Sequence, residues 1–176
     1  MTTIFTHAAV PLMIGAALGR RTVSGQLLAA GAIAAMLPDM DVLAFRLHIP
    51  YADAFGHRGA THSLAFAALL ATLAALSHRW LASTRRVAAL FVGLSTLSHP
   101  LLDACTDGGL GVALAWPLTD ARWFAPLHPI AVSPIGARFF SERGLHVIAS
   151  ELCWVWLPAA VVAAGIALWQ RASKRP

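Results

Sequence analysis

Five apolar stretches, at residues 4–19, 23–37, 61–76, 87–102 and 147–170, leave this chain little choice of solvent. Hydrophobic residues fill 58% of its 176 positions and charged residues only 12%. An ordinary soluble domain carries about 25% charged residues. A water-facing fold has no use for so much apolar surface, so the lipid bilayer is the expected environment. Only 147–170 exceeds the roughly 20 residues that a spanning helix requires. The other four can span if their polar ends line a shared cavity. The weakest, 23–37, could instead be re-entrant. Gly15-Ala16-Ala17, Ala29-Ala30-Gly31-Ala32 and Ala67-Ala68 supply the small residues that let membrane helices approach closely. The expected fold is all-α: one membrane-embedded domain over 1–176, a bundle of about five transmembrane helices with a long outer loop.

Charge placement tests this arrangement. Arg20 and Arg21 follow the first stretch, Arg79, Arg85 and Arg86 the third, and Arg171, Lys174 and Arg175 the fifth. These are eight of the 13 basic residues, and no acid lies among them. All eight acids lie in 38–60, in 103–146 or at the adjacent helix end, Glu151. Excess Lys and Arg marks the cytoplasmic side, so the N-terminus is expected outside and the C-terminus in the cytoplasm. The net charge of +5 reads as this topology signal, and no nucleic-acid partner is expected. No basic residue precedes the first apolar run, so a cleavable signal peptide is not expected. Cys105 and Cys153 are too far apart for a Cys-x-x-Cys pair and read as small apolar side chains.

The same parity gathers the chemistry. His7 opens the first stretch, Asp39 and Asp41 close the second, His57 to Ser63 open the third, and His99 to Asp103 close the fourth. Alternating helix direction puts all four clusters at one membrane face. His99 and Asp103, four apart, share a helical face. Asp39 and Asp41, two apart, could be aimed at one ion by a turn. His57 and His62 do not share a helical face, so His57 is expected in the loop and His62 in the first helical turn. Imidazole with carboxylate suits zinc, manganese or iron. The seven candidates, His7, Asp39, Asp41, His57, His62, His99 and Asp103, exceed one tetrahedral site. Either two ions bind, or some residues orient ligands or serve as general base.

Arg58 beside His57 could clamp a phosphate or a developing negative charge. It could equally pair with Asp53, Asp103 or lipid headgroups. Thr61 and Ser63 could orient ligands or cap the third helix. His78 falls on the basic side, His128 lies between prolines, and His48 and His146 read as solvated. Trp116, Trp123, Phe124, Phe139 and Phe140 in the Pro-rich loop 103–146 suit either a lid over the site or an interfacial anchor.

These residues carry a resemblance. The N-terminal His, Leu-Pro-Asp-Met-Asp, His-Arg-Gly-Ala-Thr-His-Ser and Ser-His-Pro-Leu-Leu-Asp resemble the YdjM-type family of inner-membrane metal-dependent hydrolases, also described as LexA-regulated, over about residues 5–135. The resemblance implies a metal centre of His7, Asp39, His57, His62, His99 and Asp103. The preferred expectation is a divalent-metal hydrolase, with one or two ions and zinc foremost, acting on a lipid or lipid-linked (phospho)ester at the outer face. Asp39 or Asp41 would accept the proton, and Arg58 would hold the phosphate. The alternatives are a metal transporter or sensor, and a scaffold stapled by a structural ion.

Overall fold

The computed structural model describes residues 1–134 and 136–173; Lys174 and Arg175 of the basic tail lie outside them. Five apolar helical stretches form, as the hydropathy predicts. They are α1 (Ile4–Leu18), α2 (Gly25–Met36) with its extension, α4 (Leu64–Leu76), α5 (Arg85–Ala104) and a C-terminal helix. The extension of α2 is a 3₁₀ turn, Leu37–Val42, followed by a short helix α3, Leu43–Arg46. The C-terminal helix comprises α6 (Glu142–Glu151), a π-helical turn (Leu152–Trp156) and α7 (Leu157–Ala172). Among the described residues no β-strand forms; the long loop contributes only isolated bridges.

Three stretches are long and apolar enough to cross a membrane: Gly25–Arg46, Arg85–Ala104 and Glu142–Ala172, while α1 and α4 are shorter. The second stretch therefore gains length beyond its strictly apolar part. Pro38, in the first turn of the 3₁₀ segment, needs no backbone donor there, so the helical path continues to Arg46. Local signals set the other starts. Ser24 Oγ accepts from Leu27 N at 3.0 Å, Ser63 Oγ from Phe66 N at 3.1 Å and Thr84 Oγ1 from Val87 N at 3.2 Å. His62 consequently lies in a 3₁₀ turn, Ala60–His62, just ahead of α4 rather than inside it.

Helix α1 packs on α2 and α7, and α5 packs on α2 and α4. Glycine makes this possible at two close approaches. A Cβ on Gly15 would meet Leu28 Cδ1 at 2.4 Å, and one on Gly31 would meet Phe91 Cε1 at 2.3 Å. The Phe91 ring of α5 thus wedges between α1 and α2 where only hydrogen stands. Val23, Leu27, Ala34, Ala74, Ala88 and Val92 fill the interior beside it. Helix α7 buries none of its residues, which fits a face turned to lipid.

The two ends differ sharply. Ser24 Oγ donates to the Leu81 carbonyl at 2.5 Å, and Gln170 Nε2 donates to the Leu18 carbonyl at 3.2 Å. The turns after α1 and α4 and the end of α7 therefore meet at one end, with Arg20, Arg21, Arg79, Arg85, Arg86 and Arg171. At the opposite end the long loop folds back over the segment before α4. Ala113 N donates to the Arg58 carbonyl at 3.0 Å and Leu64 N to the Leu114 carbonyl at 2.9 Å. The loop thereby covers the histidine segment, while Leu118, Trp123, Leu127 and Phe140 stay exposed.

Candidate metal centre

The polar end gathers His7, Asp39, His99 and Asp103, all buried, with one ligand atom from each lying within 4.8 Å of the others. The arrangement follows from chain geometry. One helical turn separates His99 from Asp103, so α5 presents both to the same side. His7 enters from the first turn of α1, and its ring stacks on His99 with centroids 3.5 Å apart. The 3₁₀ turn after α2 splays Asp39 and Asp41 apart, because two residues in a tight turn cannot share a direction. Asp39 points to His7 and His99, and Asp41 points to His57 and His62.

Hydrogen bonds settle which ring nitrogens face the centre. His99 Nδ1–H donates to the Ala35 carbonyl at 2.7 Å. His62 Nδ1 lies 3.2 Å from Thr61 Oγ1, whose own proton goes to Asp41 Oδ2, so Nδ1–H donates to that hydroxyl, with Asp41 Oδ2 3.1 Å from the same nitrogen. Both rings are therefore held with an Nε2 lone pair inward, and these two Nε2 atoms lie 3.0 Å apart. Two lone pairs at that separation repel unless a cation or a shared proton lies between them. The carboxylates carry the same message. Asp39 is 4% exposed, and neither of its oxygens has a hydrogen-bond partner. His99 Nε2 stands 3.5 Å from Asp39 Oδ1, and His7 Nε2 stands 3.8 Å from Asp39 Oδ2. Asp103 Oδ2 is likewise buried without a hydrogen bond. Buried carboxylate oxygens without partners are costly in a protein interior. Three carboxylates, Asp39, Asp41 and Asp103, outnumber the two cations beside them, the Arg58 guanidinium and the Met1 ammonium, so with neutral histidines the cluster is net negative. A divalent ion offsets that charge and satisfies the orphaned oxygens, so the donor set fits one.

His57 and Arg58 take positions that spacing did not fix. His57 Nδ1 lies 2.5 Å from Asp41 Oδ1, outside the four-donor group. Asp41 also accepts from Arg58 N at 2.8 Å and Thr61 Oγ1 at 3.0 Å, so this one carboxylate ties the whole segment before α4. Arg58 is fully buried with a left-handed backbone, φ 62°. Its guanidinium donates to the Gly108 carbonyl and to Thr106 Oγ1, both at 2.9 Å. Its Nε sits 3.1 Å from Asp103 Oδ2, at an angle too poor for a hydrogen bond. Among the partners expected for Arg58, the structure selects Asp103.

Several supporting residues escaped the sequence reading. Thr2 N donates to Asp103 Oδ1 at 2.9 Å, and Thr2 Oγ1 lies 2.6 Å from His7 Nε2. Glu151, at the start of the π-helical turn, accepts from Thr3 N, from Thr3 Oγ1 at 2.6 Å and from Thr6 Oγ1 at 2.6 Å. Trp156 Nε1, one turn on, donates to Thr6 Oγ1 at 2.7 Å. The π-helical turn thus pins the segment that carries Thr2 and His7 against the centre. An acid embedded in the apolar run 147–170 was the available signal for Glu151. Arg122 of the long loop donates to the carbonyls of His57 at 2.8 Å and Asp53 at 2.9 Å; nothing in the sequence pointed to it. Burial lowers the Arg122 pKa and raises that of the adjoining Tyr51 phenol.

Glu151→Gln keeps the shape but turns an amide NH₂ toward hydroxyl and N–H donors. We expect a loss of about 1–3 kcal/mol, the cost of leaving buried donors unpaired. Hydrogen exchange at Thr3 and Thr6 should accelerate with it. Unchanged protection there would show that Glu151 does not anchor the segment.

The fold and this centre define a class: a helical membrane protein with a buried histidine–aspartate cluster suited to a divalent ion. Sequence comparison agrees. A family model described as the YdjM inner membrane protein matches residues 1–174. The chain is 47% identical over 173 residues to the inner membrane protein YbcI of Escherichia coli (strain K12), which covers 97% of this chain and 99% of that relative. No solved structure matches. The chain therefore belongs to the YdjM family of inner-membrane proteins.

Proposed function

We propose that this inner-membrane protein is a divalent-metal-dependent hydrolase of a lipid or lipid-linked ester, with zinc the favoured ion. The observation that carries the reading is the pair of inward Nε2 atoms of His62 and His99 beside the unpartnered oxygens of Asp39 and Asp103. His7, Asp39, His99 and Asp103 would hold the ion, with His62 completing the ligand set. When bound, the ion would supply Lewis acidity and bring the pKa of water toward neutrality.

The protein's own groups divide the remaining work. Asp41 holds the Nδ1 proton of His57 and fixes its tautomer, which leaves Nε2 of His57 able to accept a proton. Proton acceptance, expected at Asp39 or Asp41, is therefore assigned to His57 backed by Asp41. Arg58 neutralises part of the charge on Asp103 and locks the loop 106–108 over the site. It is not free to clamp a phosphate without dropping those bonds.

The same topology supports an outward-facing site, with the N-terminus outside and the C-terminus cytoplasmic. Arginines crowd the end opposite the centre, as the positive-inside rule requires. Conduction of metal across the membrane is disfavoured, since Leu27, Ala34, Ala88 and Val92 pack the interior below the centre with apolar atoms. Lipid is the favoured substrate class because the centre sits at the end of lipid-embedded helices, with exposed aromatic residues around it.

The test is purified protein assayed against a phospholipid panel, before and after chelation and zinc restoration. Hydrolysis should vanish with chelator, return with metal and be absent in His99→Ala. Activity indifferent to chelator, or no hydrolysis of any ester by metal-loaded protein, would sink the reading.

A further inference from the structure

Two cavities flank the start of α1. One, of about 280 Å³, carries Asp39 in its wall together with Ile4 and Val42. The other, of about 290 Å³, ends against Ile148, Leu152 and Trp156. They share Thr3, Phe5 and Phe139, so they lie on either side of one thin aromatic partition. Phe5 is 70% exposed and Ile148 41% exposed, so this partition and far wall already face outward. At one end of the pair stands a centre donor whose two oxygens lack partners. At the other stands the C-terminal helix, whose continuation α7 buries nothing and faces lipid.

We propose that these cavities form one trough that seats the hydrocarbon chain of an amphiphilic ester, with the ester at Asp39 and the chain passing Phe5 and Phe139 toward Leu152. The proposal rests on the hydrolase reading and specifies its substrate class: a lipid with at least one long alkyl or acyl chain whose scissile group lies near the membrane boundary. The occupant is fixed by chemistry. One end of the trough is walled by a residue of the centre, the remainder is mainly aliphatic and aromatic, and the carboxylate in that remainder, Glu151, is taken up by Thr3 and Thr6. A chain drawn from lipid gains little hydrophobic free energy here, because hydrocarbon tails are as apolar as the walls. The trough's work is orientation: it holds the ester against the centre while the chain stays in apolar surroundings.

The test uses the full chain, zinc-loaded in detergent, and a series of alkylphosphonates from methyl to octyl as uncleavable probes, with binding read by calorimetry. Affinity should climb with chain length, by up to about fourfold per methylene. Ile148→Asn and Phe139→Ala should flatten that slope and leave methylphosphonate binding unchanged. Phe140→Ala, outside the trough and 88% exposed, should keep the slope. A flat slope in the unsubstituted protein, with methylphosphonate still bound, overturns the trough and leaves the metal centre standing. A slope that survives both trough substitutions also overturns it. A protein that takes up no metal removes the hydrolase reading and the trough together.

Discussion

Asp39→Asn is expected to abolish divalent-metal binding without unfolding the protein. Asparagine has the same shape, and no hydrogen bond to the Asp39 carboxylate exists to be lost. The substitution removes a buried charge that only a cation compensates. Metal affinity should fall by on the order of 100-fold or more, since even supporting residues around a metal typically contribute about 10–100-fold. Stability supplies the second readout. An ion that binds only the folded state stabilises it by about 2.7 kcal/mol at 100 times its dissociation constant. Zinc should therefore raise the thermal midpoint of the unsubstituted protein and leave that of Asp39→Asn unmoved. The metal-free variant should melt no lower than the metal-free parent. A variant that melts lower without metal, from a parent indifferent to zinc, would make Asp39 a structural residue and end the metal-centre account.

The second large effect is expected at Arg58. Its guanidinium is fully buried against Asp103, Thr106 and the Gly108 carbonyl. Arg58→Met keeps much of the volume but strands Asp103 beside Asp39. Breaking a buried pair by removing one partner costs about 3–5 kcal/mol. Arg58→Lys should recover only part of this, because an ammonium cannot reach three partners in a planar fork. Arg58→Met combined with Asp103→Asn should regain stability relative to Arg58→Met alone, since the stranded charge is gone. Denaturation of the parent, Arg58→Met, Asp103→Asn and the double variant in one detergent, with metal removed, gives the coupling directly. Additive losses would show that the two side chains do not act as a pair.

Much of the architecture follows from one-dimensional facts. An apolar run in lipid must satisfy its backbone internally, so five such runs become five helices. Successive helices reverse direction, so His7, Asp39, His62 and the His99–Asp103 pair had to reach one end whatever their packing. The four-residue spacing of His99 and Asp103 likewise dictated a common face. The basic turns follow the same parity, and Ser24 and Gln170 bring three of them together at the opposite end. The family motifs, too, are written in the linear chain.

Tertiary packing decided what periodicity leaves free. Which way a residue points from a tight turn depends on φ and ψ, not on spacing, so Asp39 and Asp41 separate although they are two residues apart. Loop 47–59 has no period at all. Asp41, Arg122 and Ala113 are what turn His57 aside from the four-donor group and send Arg58 inward. Glu151 reaches Thr3 just ahead of a π-helical turn, Leu152–Trp156, which nothing in that apolar stretch of sequence announces. Linear order dictates which end of the bundle is polar and which donor types meet there. Only the folded chain decided which of those donors face one another, because a helix fixes position along its axis while its rotation and its loops are set by what it packs against.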